Sequence, residues 1–184
     1  MRAMICVFLG PTLASRDARL VLEADYRPPA AQGDVFRAVD HGAVAIGIID
    51  GYFQRIASVW HKEILWAMKQ GVHMFGSASM GALRAAELHG FGMRGVGQIF
   101  ADYRDGVLVD DDEVAVLHGP AEADYVAVSE AMVNIRATLA AAQKNVLPRI
   151  SFTLVSSSHV KACIISSTLS LASLKTIPKP VWSS

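Results

Sequence analysis

Two continuous apolar runs in the first fifty residues place the strongest constraint on the fold. "MICVFLG" occupies residues 4–10 and "AVAIGIID" residues 43–50, and each ends abruptly at a turn-forming residue. Such runs are typical of strands buried on both faces of a sheet, since a strand with one solvated face alternates apolar and polar residues. A weaker third run, "GVHMFGS", covers residues 71–77. These runs predict a sheet whose two faces are both covered.

Helix-forming segments separate and follow the apolar runs. They occupy residues 33–42, 58–71, 79–88 and 121–144, with a further helix predicted within 92–106 and a short strand within 110–119. Strands that alternate with helices favour a parallel sheet flanked by helices. With 184 residues, 52% of them hydrophobic, the chain can bury one core of ordinary size. We therefore predict an α/β domain over residues 1–145.

The composition excludes several classes of function. Lys and Arg together number 17, as do Asp and Glu, so no overall charge attracts nucleic acid or a membrane surface. Cys6 and Cys163 lie far apart, without the spacing of a zinc site or a disulfide framework, and we expect Cys6 in a buried strand. The amino-terminal apolar stretch is too short for a signal peptide. We expect a cytoplasmic protein without metal or cofactor.

The segment over residues 146–184 differs from the rest of the chain. From Asn145 onward there is no acidic residue, and ten of the last forty residues are serine. Strand-like stretches occur here without clear periodicity, which is typical of a mobile extension or of a tail foreign to the domain. A shifted reading frame would produce such a change. We predict that this atypical tail contributes little to the core.

The stretch "GSASMGALRAAEL", residues 76–88, joins the third apolar run to a helix-forming segment. A nucleophile elbow, G-x-S-x-G, presents a serine on a strained turn between strand and helix, and here residues 77–81 supply the variant S-x-S-x-G with Ser79 in the nucleophile position. Taken alone, helix capping by Ser79 is the commoner explanation. Gly81 favours a site, because a helical glycine costs about 1 kcal/mol and indicates close approach by another group.

Three short motifs follow the predicted strands: Gly10-Pro11-Thr12, Asp50-Gly51-Tyr52-Phe53 and Ser77-Ala78-Ser79. In an open parallel sheet, ligands bind beyond the carboxyl ends of the strands, where these motifs would meet. Ser58 is a candidate cap for the next helix, which would place His61 in its first turn at the same edge. One serine, one histidine and one aspartate are therefore expected to converge there.

Other side chains compete for these positions. His118, which precedes Gly119-Pro120, is the main alternative to His61 as a base. Lys62 is a third candidate if burial lowers its pKa, although a solvated lysine is commoner. Arg84 is three residues before Glu87 and is expected either to pair with it or to hold a carboxylate near Ser79.

Several motifs in order resemble those of TfuA-like proteins: "IGIIDGYF", "SVWHKEILWAM", "GSASMGALRAAEL", "GMRGVGQIF", "YRDGVL" and "DDEVAVLHGPAE". The resemblance covers roughly residues 4 to 144. It implies a partner of a YcaO enzyme in the thioamidation of a peptide backbone. It further implies hydrolysis of thiocarboxylated ThiS, a small sulfur-carrier protein, with release of sulfide, and assistance to YcaO in engaging its precursor peptide. The tail departs from the charged, helical end that the family leads us to expect.

For this reaction, chemistry assigns a hypothetical role to each candidate residue. Ser79 attacks the thiocarboxylate carbonyl, His61 accepts its proton and Asp50 orients the histidine. Backbone N–H groups near Met80 and Gly81, with Ser77 close by, would hold the oxyanion. Lys62 or Arg84 would offset the negative charge of the thiocarboxylate. The alternative is a non-catalytic accessory protein that recruits the precursor peptide or sulfur donor to YcaO, using the serine junction only to anchor a carboxylate.

Overall fold

The computed structural model describes residues 4–53 and 56–145. Within them, five parallel strands form one sheet in the order β2-β1-β3-β4-β5. The strands are β1 (Met4–Phe8), β2 (Asp25–Arg27), β3 (Ala43–Ile48), β4 (His73–Ser77) and β5 (Arg94–Val96). The predicted α/β class with a parallel sheet is confirmed, and so are the three predicted strands at its centre.

Six α-helices occur in the described residues. They are α1 (Ser15–Arg19), α2 (Asp34–Asp40), α3 (His61–Lys69), α4 (Met80–Leu88), α5 (Gln98–Arg104) and α6 (Met132–Asn145). None of the helices described is long and apolar enough to cross a membrane. Glu63 marks the start of α3, since its carboxylate accepts the N–H of Trp60 at 2.8 Å. The predicted cap at Ser58 is wrong, because Trp60 occupies the cap position.

Both faces of the sheet are buried, as the continuous apolar runs predict. Alternate residues of a strand point to opposite faces. Cys6 and Phe8 belong to the larger core, which also contains residues of α2, α3 and α4, while Val7 belongs to a second core that includes Ala18 of α1. Cys6 is fully buried, as expected. The helices therefore cover both sides and leave the strand ends available for a site.

The sequence prediction fails in the stretch after α5. The strand predicted within residues 110–119 is wrong, since a 3-10 turn covers Asp111–Val114 and only an isolated bridge joins His118 to Ala127. The long helix predicted over 121–144 begins instead at Met132. Asp124 and Tyr125 have φ angles of 51° and 53°, a left-handed backbone that cannot continue a right-handed helix. The chain reverses direction here, so that residues 117–119 run antiparallel to residues 126–128 and form a hairpin.

Two edge strands were not predicted. β2 and β5 contain three residues each, too few for a periodic pattern, and both carry charged residues. The tail predicted over 146–184 lies outside the described residues. The domain boundary at residue 145 therefore stays a prediction.

Candidate functional site

The loops after β1 and β3 meet at the carboxyl edge of the sheet, where Asp50 joins them. The Asp50 side chain is 1% exposed. Its Oδ2 accepts the backbone N–H of Gly10 at 2.8 Å and that of Thr12 at 3.2 Å. Its Oδ1 accepts the hydroxyl of Thr12 at 2.6 Å. The predicted convergence of the first two strand-end motifs is therefore observed, with the carboxylate as the link.

Burial raises the pKa of the Asp50 carboxyl above its ordinary value. The hydroxyl hydrogen bond from Thr12 opposes this shift, as do the two backbone N–H groups and the charge of His118. The net effect is still upward, because loss of hydration dominates. A carboxyl with a raised pKa exchanges its proton closer to neutral pH than an ordinary aspartate, which is a common property of functional sites.

Ser79 lies at the turn between β4 and α4, in the cap position of the helix. Its hydroxyl does not cap α4 but donates to the carbonyl of Val114 at 3.2 Å. The preceding residue, Ala78, has a φ of 60°, which an L-residue adopts only under constraint. The turn is therefore strained as in a nucleophile elbow, although the strained residue is Ala78 rather than the serine itself.

Close packing accounts for Gly81. A Cβ atom at this position would lie 1.8 Å from the carbonyl oxygen of Ile48, so only glycine lets α4 approach the end of β3. The Gly81 N–H donates to the carbonyl of Ile49 at 3.2 Å. The expected close approach to Gly81 is confirmed, but the approaching group is the backbone at the end of β3, and the expectation that the Gly81 N–H holds an oxyanion is wrong because the Ile49 carbonyl already accepts it.

Two of the predicted oxyanion-binding residues have different surroundings. Met80 is the first residue of α4, where a backbone N–H has no partner within the helix. This N–H remains the candidate donor for an oxyanion. Ser77 is the last residue of β4, and it is 5% exposed. Its burial disfavours direct contact with a substrate.

A cavity of about 310 Å³ lies beside Ser79. Thr12 and Ser79 form part of its wall, and α6 with the segment before it contributes most of the other lining residues. Its lining is largely apolar, with a few hydroxyl, amide and carboxyl groups, which is typical of a small-molecule or peptide site. The remaining lining residues are Pro11, Ala78, Ile99, Val114, Val116, Ala127, Ser129, Glu130, Ala131, Val133, Asn134, Ile135, Thr138 and Leu139.

The structure does not bring His61 to Ser79 or Asp50. The His61 Nε2 lies 2.7 Å from the Glu87 Oε2, at the far end of α4. Ser79 and Glu87 are eight residues apart in the sequence, or about 12 Å along the helix axis. The predicted grouping of His61 with the other two residues is therefore not formed, because α3 packs its first turn against the end of α4 and not its beginning.

Neither predicted cation faces the cavity. Arg84 donates to Glu87 at 2.7 Å and to the carbonyl of Val59 at 3.1 Å, so the expected pairing with Glu87 is confirmed. Lys62 is exposed on α3, and the burial that its assignment as a base requires is absent. The negative charge of a substrate here would instead meet the positive amino end of α4.

His118 lies closer to the buried carboxyl. Its ring centroid is 5.7 Å from that of Tyr52 and 5.7 Å from that of Tyr125, and its charge lowers the pKa of Asp50. Its Nδ1 lies 2.9 Å from the carbonyl of Gly119. Of the two candidate histidines, His118 is thus the one associated with Asp50.

Sequence reasoning missed two residues here. Thr12 belongs to the first strand-end motif, and its hydroxyl directly after Gly10-Pro11 is the signal that could have identified it. No pattern in the sequence indicates that Tyr125 lies at this site. Its position beside His118 depends on the chain reversal between residues 119 and 126, where the Gly119 N–H donates to the Val126 carbonyl at 2.8 Å.

Comparison with known families agrees with the motifs. The family model described as TfuA-like protein matches residues 50–159. The chain belongs to the TfuA-like family. The matched region begins at Asp50 and contains Ser79 and His118, while Thr12 precedes it. A search of curated proteins found no match to this TfuA-like chain.

Proposed function

We propose that this TfuA-like protein hydrolyses the thiocarboxylate of a ThiS-like sulfur carrier and supplies the released sulfide to a YcaO enzyme for peptide thioamidation. Family membership supports a part in a YcaO-associated process. The observation that carries the hydrolytic proposal is the Ser79 hydroxyl, which leaves the end of α4 uncapped and lies in the wall of a cavity. A serine used only as a helix cap would direct its oxygen to the first turn.

The reaction requires two displacements at one carbonyl carbon. The Ser79 oxygen forms a bond to the thiocarboxylate carbon, the carbon–sulfur bond breaks, and sulfur leaves with the serine proton as hydrosulfide. Water then attacks the ester, and the bond to Ser79 breaks. The carrier leaves as an ordinary carboxylate, and one proton goes to solvent.

The amino end of α4 supplies the electrostatic stabilisation for this chemistry. The Met80 N–H is a donor for the tetrahedral oxyanion, and one such donor is typically worth about 3 kcal/mol of transition-state stabilisation. The helix dipole offsets part of the negative charge of the thiocarboxylate. Lys62 and Arg84 lie elsewhere, so the helix end is the positive group that the substrate meets first.

Sulfide release by the purified chain, without YcaO, tests this proposal. Wild-type protein is expected to release sulfide catalytically from a thiocarboxylated ThiS-like carrier. Ser79→Ala is expected to reduce turnover by at least about 100-fold, because the nucleophile is lost. Ser77→Ala is the matched control, since the neighbouring serine is buried and does not line the cavity. A folded Ser79→Ala variant with wild-type turnover would show that Ser79 is not the nucleophile.

A second candidate function is recruitment of the precursor peptide or the sulfur donor to YcaO without catalysis. Exposed apolar side chains next to the cavity favour it, since Leu117 and Val128 on the hairpin are 63% and 69% exposed. If recruitment is the function, YcaO assayed with Ser79→Ala would form as much thioamidated peptide as YcaO assayed with the wild-type protein. The double variant that combines Leu117→Ser with Val128→Ser would abolish the formation of thioamidated peptide.

A further inference from the structure

The buried carboxyl of Asp50 approaches the cavity through Thr12. The hydroxyl of Thr12 donates to the Asp50 Oδ1 at 2.6 Å, and Thr12 also lines the cavity together with Ser79. Asp50 itself is not among the lining residues, and its carboxylate is enclosed by the loop after β1. Neither His61 nor His118 lines the cavity. Thr12 therefore borders the cavity and is hydrogen-bonded to the carboxyl buried behind it.

The direction of this hydrogen bond depends on the protonation state of Asp50. An ionised carboxylate only accepts hydrogen bonds, so Thr12 must donate to it, and the hydroxyl can then only accept from the cavity side. A protonated Asp50 can donate its proton to the Thr12 oxygen. The proton of Thr12 is then free to be donated into the cavity. One proton on Asp50 thus converts the Thr12 hydroxyl from an acceptor to a donor toward its other neighbours.

We propose that Thr12 is a proton relay that connects Asp50 to the groups reacting with Ser79. The inference rests on the proposed hydrolysis. During attack, the Ser79 hydroxyl turns away from the Val114 carbonyl, to which it donates in the structure, and its proton moves to the Thr12 oxygen while the original Thr12 proton moves to the Asp50 Oδ1. When the carbon–sulfur bond breaks, Asp50 returns its proton to the Thr12 oxygen, Thr12 donates its own proton to the departing sulfur, and the sulfur leaves as hydrosulfide. Asp50 is ionised again after this half-reaction.

The second half-reaction uses the same relay. Water attacks the ester carbon, and its proton reaches Asp50 through Thr12. As the bond to Ser79 breaks, the proton returns through Thr12 to the serine oxygen. The released carboxylic acid loses its own proton to solvent, so protein protons balance over the cycle. The relay supplies the acid and base that neither histidine supplies from the cavity wall.

The groups facing Asp50 set the pH at which the relay operates. Burial raises the pKa of its carboxyl, while the hydrogen bonds from Gly10 and Thr12 and the charge of His118 lower it. Tyr52 and Tyr125 are further titratable side chains here, and the rings of both lie 5.7 Å from that of His118. Because the base must be ionised, the rate is expected to fall as pH falls through the pKa of Asp50, above the range of an ordinary aspartate.

Thr12→Val tests the relay, since valine keeps the shape of threonine without the hydroxyl. Its kcat for sulfide release is expected to fall by about 100-fold or more with KM nearly unchanged, and the acidic limb of its pH profile is expected to vanish. Thr12→Ser restores a hydroxyl and is expected to recover most of the activity and the limb. A folded Thr12→Val with the wild-type rate and profile would overturn the relay.

A purely structural link between the two loops predicts a different result. Activity of Thr12→Val would then fall only in proportion to the unfolded fraction, with the acidic limb kept, and this would also overturn the relay. Should Thr12→Val fail to fold, Asp50→Asn decides, because persistence of the limb in that variant contradicts the proposal. The Ser79→Ala assay separately tests the hydrolysis on which the relay rests. A failure of the proposed hydrolysis can therefore be told apart from a failure of the proposed relay.

Discussion

At the scale of single residues, Asp50 links folding to pH. Its folded-state pKa is raised by burial, so the folded protein binds this proton more tightly than the unfolded chain does. The contribution to stability is therefore greatest below the unfolded pKa of about 3.9 and declines as pH rises through the folded pKa. Each tenfold difference in proton affinity corresponds to about 1.4 kcal/mol.

Asp50→Asn is expected to remove this decline. An asparagine oxygen can accept the N–H groups of Gly10 and Thr12, while its amide donates to the Thr12 hydroxyl, so the local hydrogen bonds survive. Urea unfolding between pH 4 and pH 7 should show wild type losing stability relative to the variant. Asp111→Asn, at an exposed position, is the control and should show no such trend. A difference between wild type and Asp50→Asn that is constant with pH would contradict the assignment.

The placement of Asp50 and Ser79 at one edge of the sheet was predictable, whereas that of His61 was not. The first two follow buried parallel strands, and the carboxyl ends of such strands necessarily meet. His61 begins a helix, and its direction depends on how α3 crosses α4, which sequence periodicity does not specify. The structure places its ring at Glu87. Local patterns thus located the strand-end residues but not a contact between two helices.

At the scale of elements, the contact between α4 and β3 holds Ser79 in place. Gly81→Ala is expected to destabilise the fold by at least about 3 kcal/mol, because the new methyl group would overlap the Ile48 carbonyl oxygen and a backbone must move. Gly90→Ala is the matched control: no atom lies within 4 Å of a Cβ there and its φ is not positive. Urea unfolding of both variants measures the difference. A cost below about 1 kcal/mol for Gly81→Ala would show that the helix can shift freely.

The elements that sequence analysis located well are those with a periodic pattern of sufficient length. α4 was predicted over 79–88 and is observed as Met80–Leu88. The sequence does not predict the course of region 110–131, because that course depends on the left-handed backbone of Asp124 and Tyr125, which no hydrophobic periodicity indicates. This region forms one side of the cavity. The fold class was therefore predictable, but the shape of the site was not.

At the scale of the whole molecule, the buried core and the family match end at different places. The last buried hydrophobic residue among those described is Ala131, whereas the match to the TfuA-like family continues to residue 159. α6 lies between these limits. It contributes Val133 to a small core and pairs Arg136 with Glu113 at 2.9 Å, besides lining the cavity. The domain thus needs α6 to close the site more than to fill the core.

Two truncated chains separate the contribution of α6 to stability and to the site from the contribution of the segment that follows it. A chain ending at residue 149 keeps α6 and every described core residue, so its Tm is expected to equal that of the full chain. A chain ending at residue 131 loses α6 but keeps Ala131, and it is expected to melt lower by several degrees, since about 1 kcal/mol corresponds to roughly 2–4 °C at this size. It should also lose sulfide release at temperatures where it is still folded, because the cavity is then open to water. Differential scanning calorimetry and the sulfide assay on both chains measure these effects. A large drop in Tm on removing only residues 150–184 would show that the core extends into that segment, against the predicted boundary at 145.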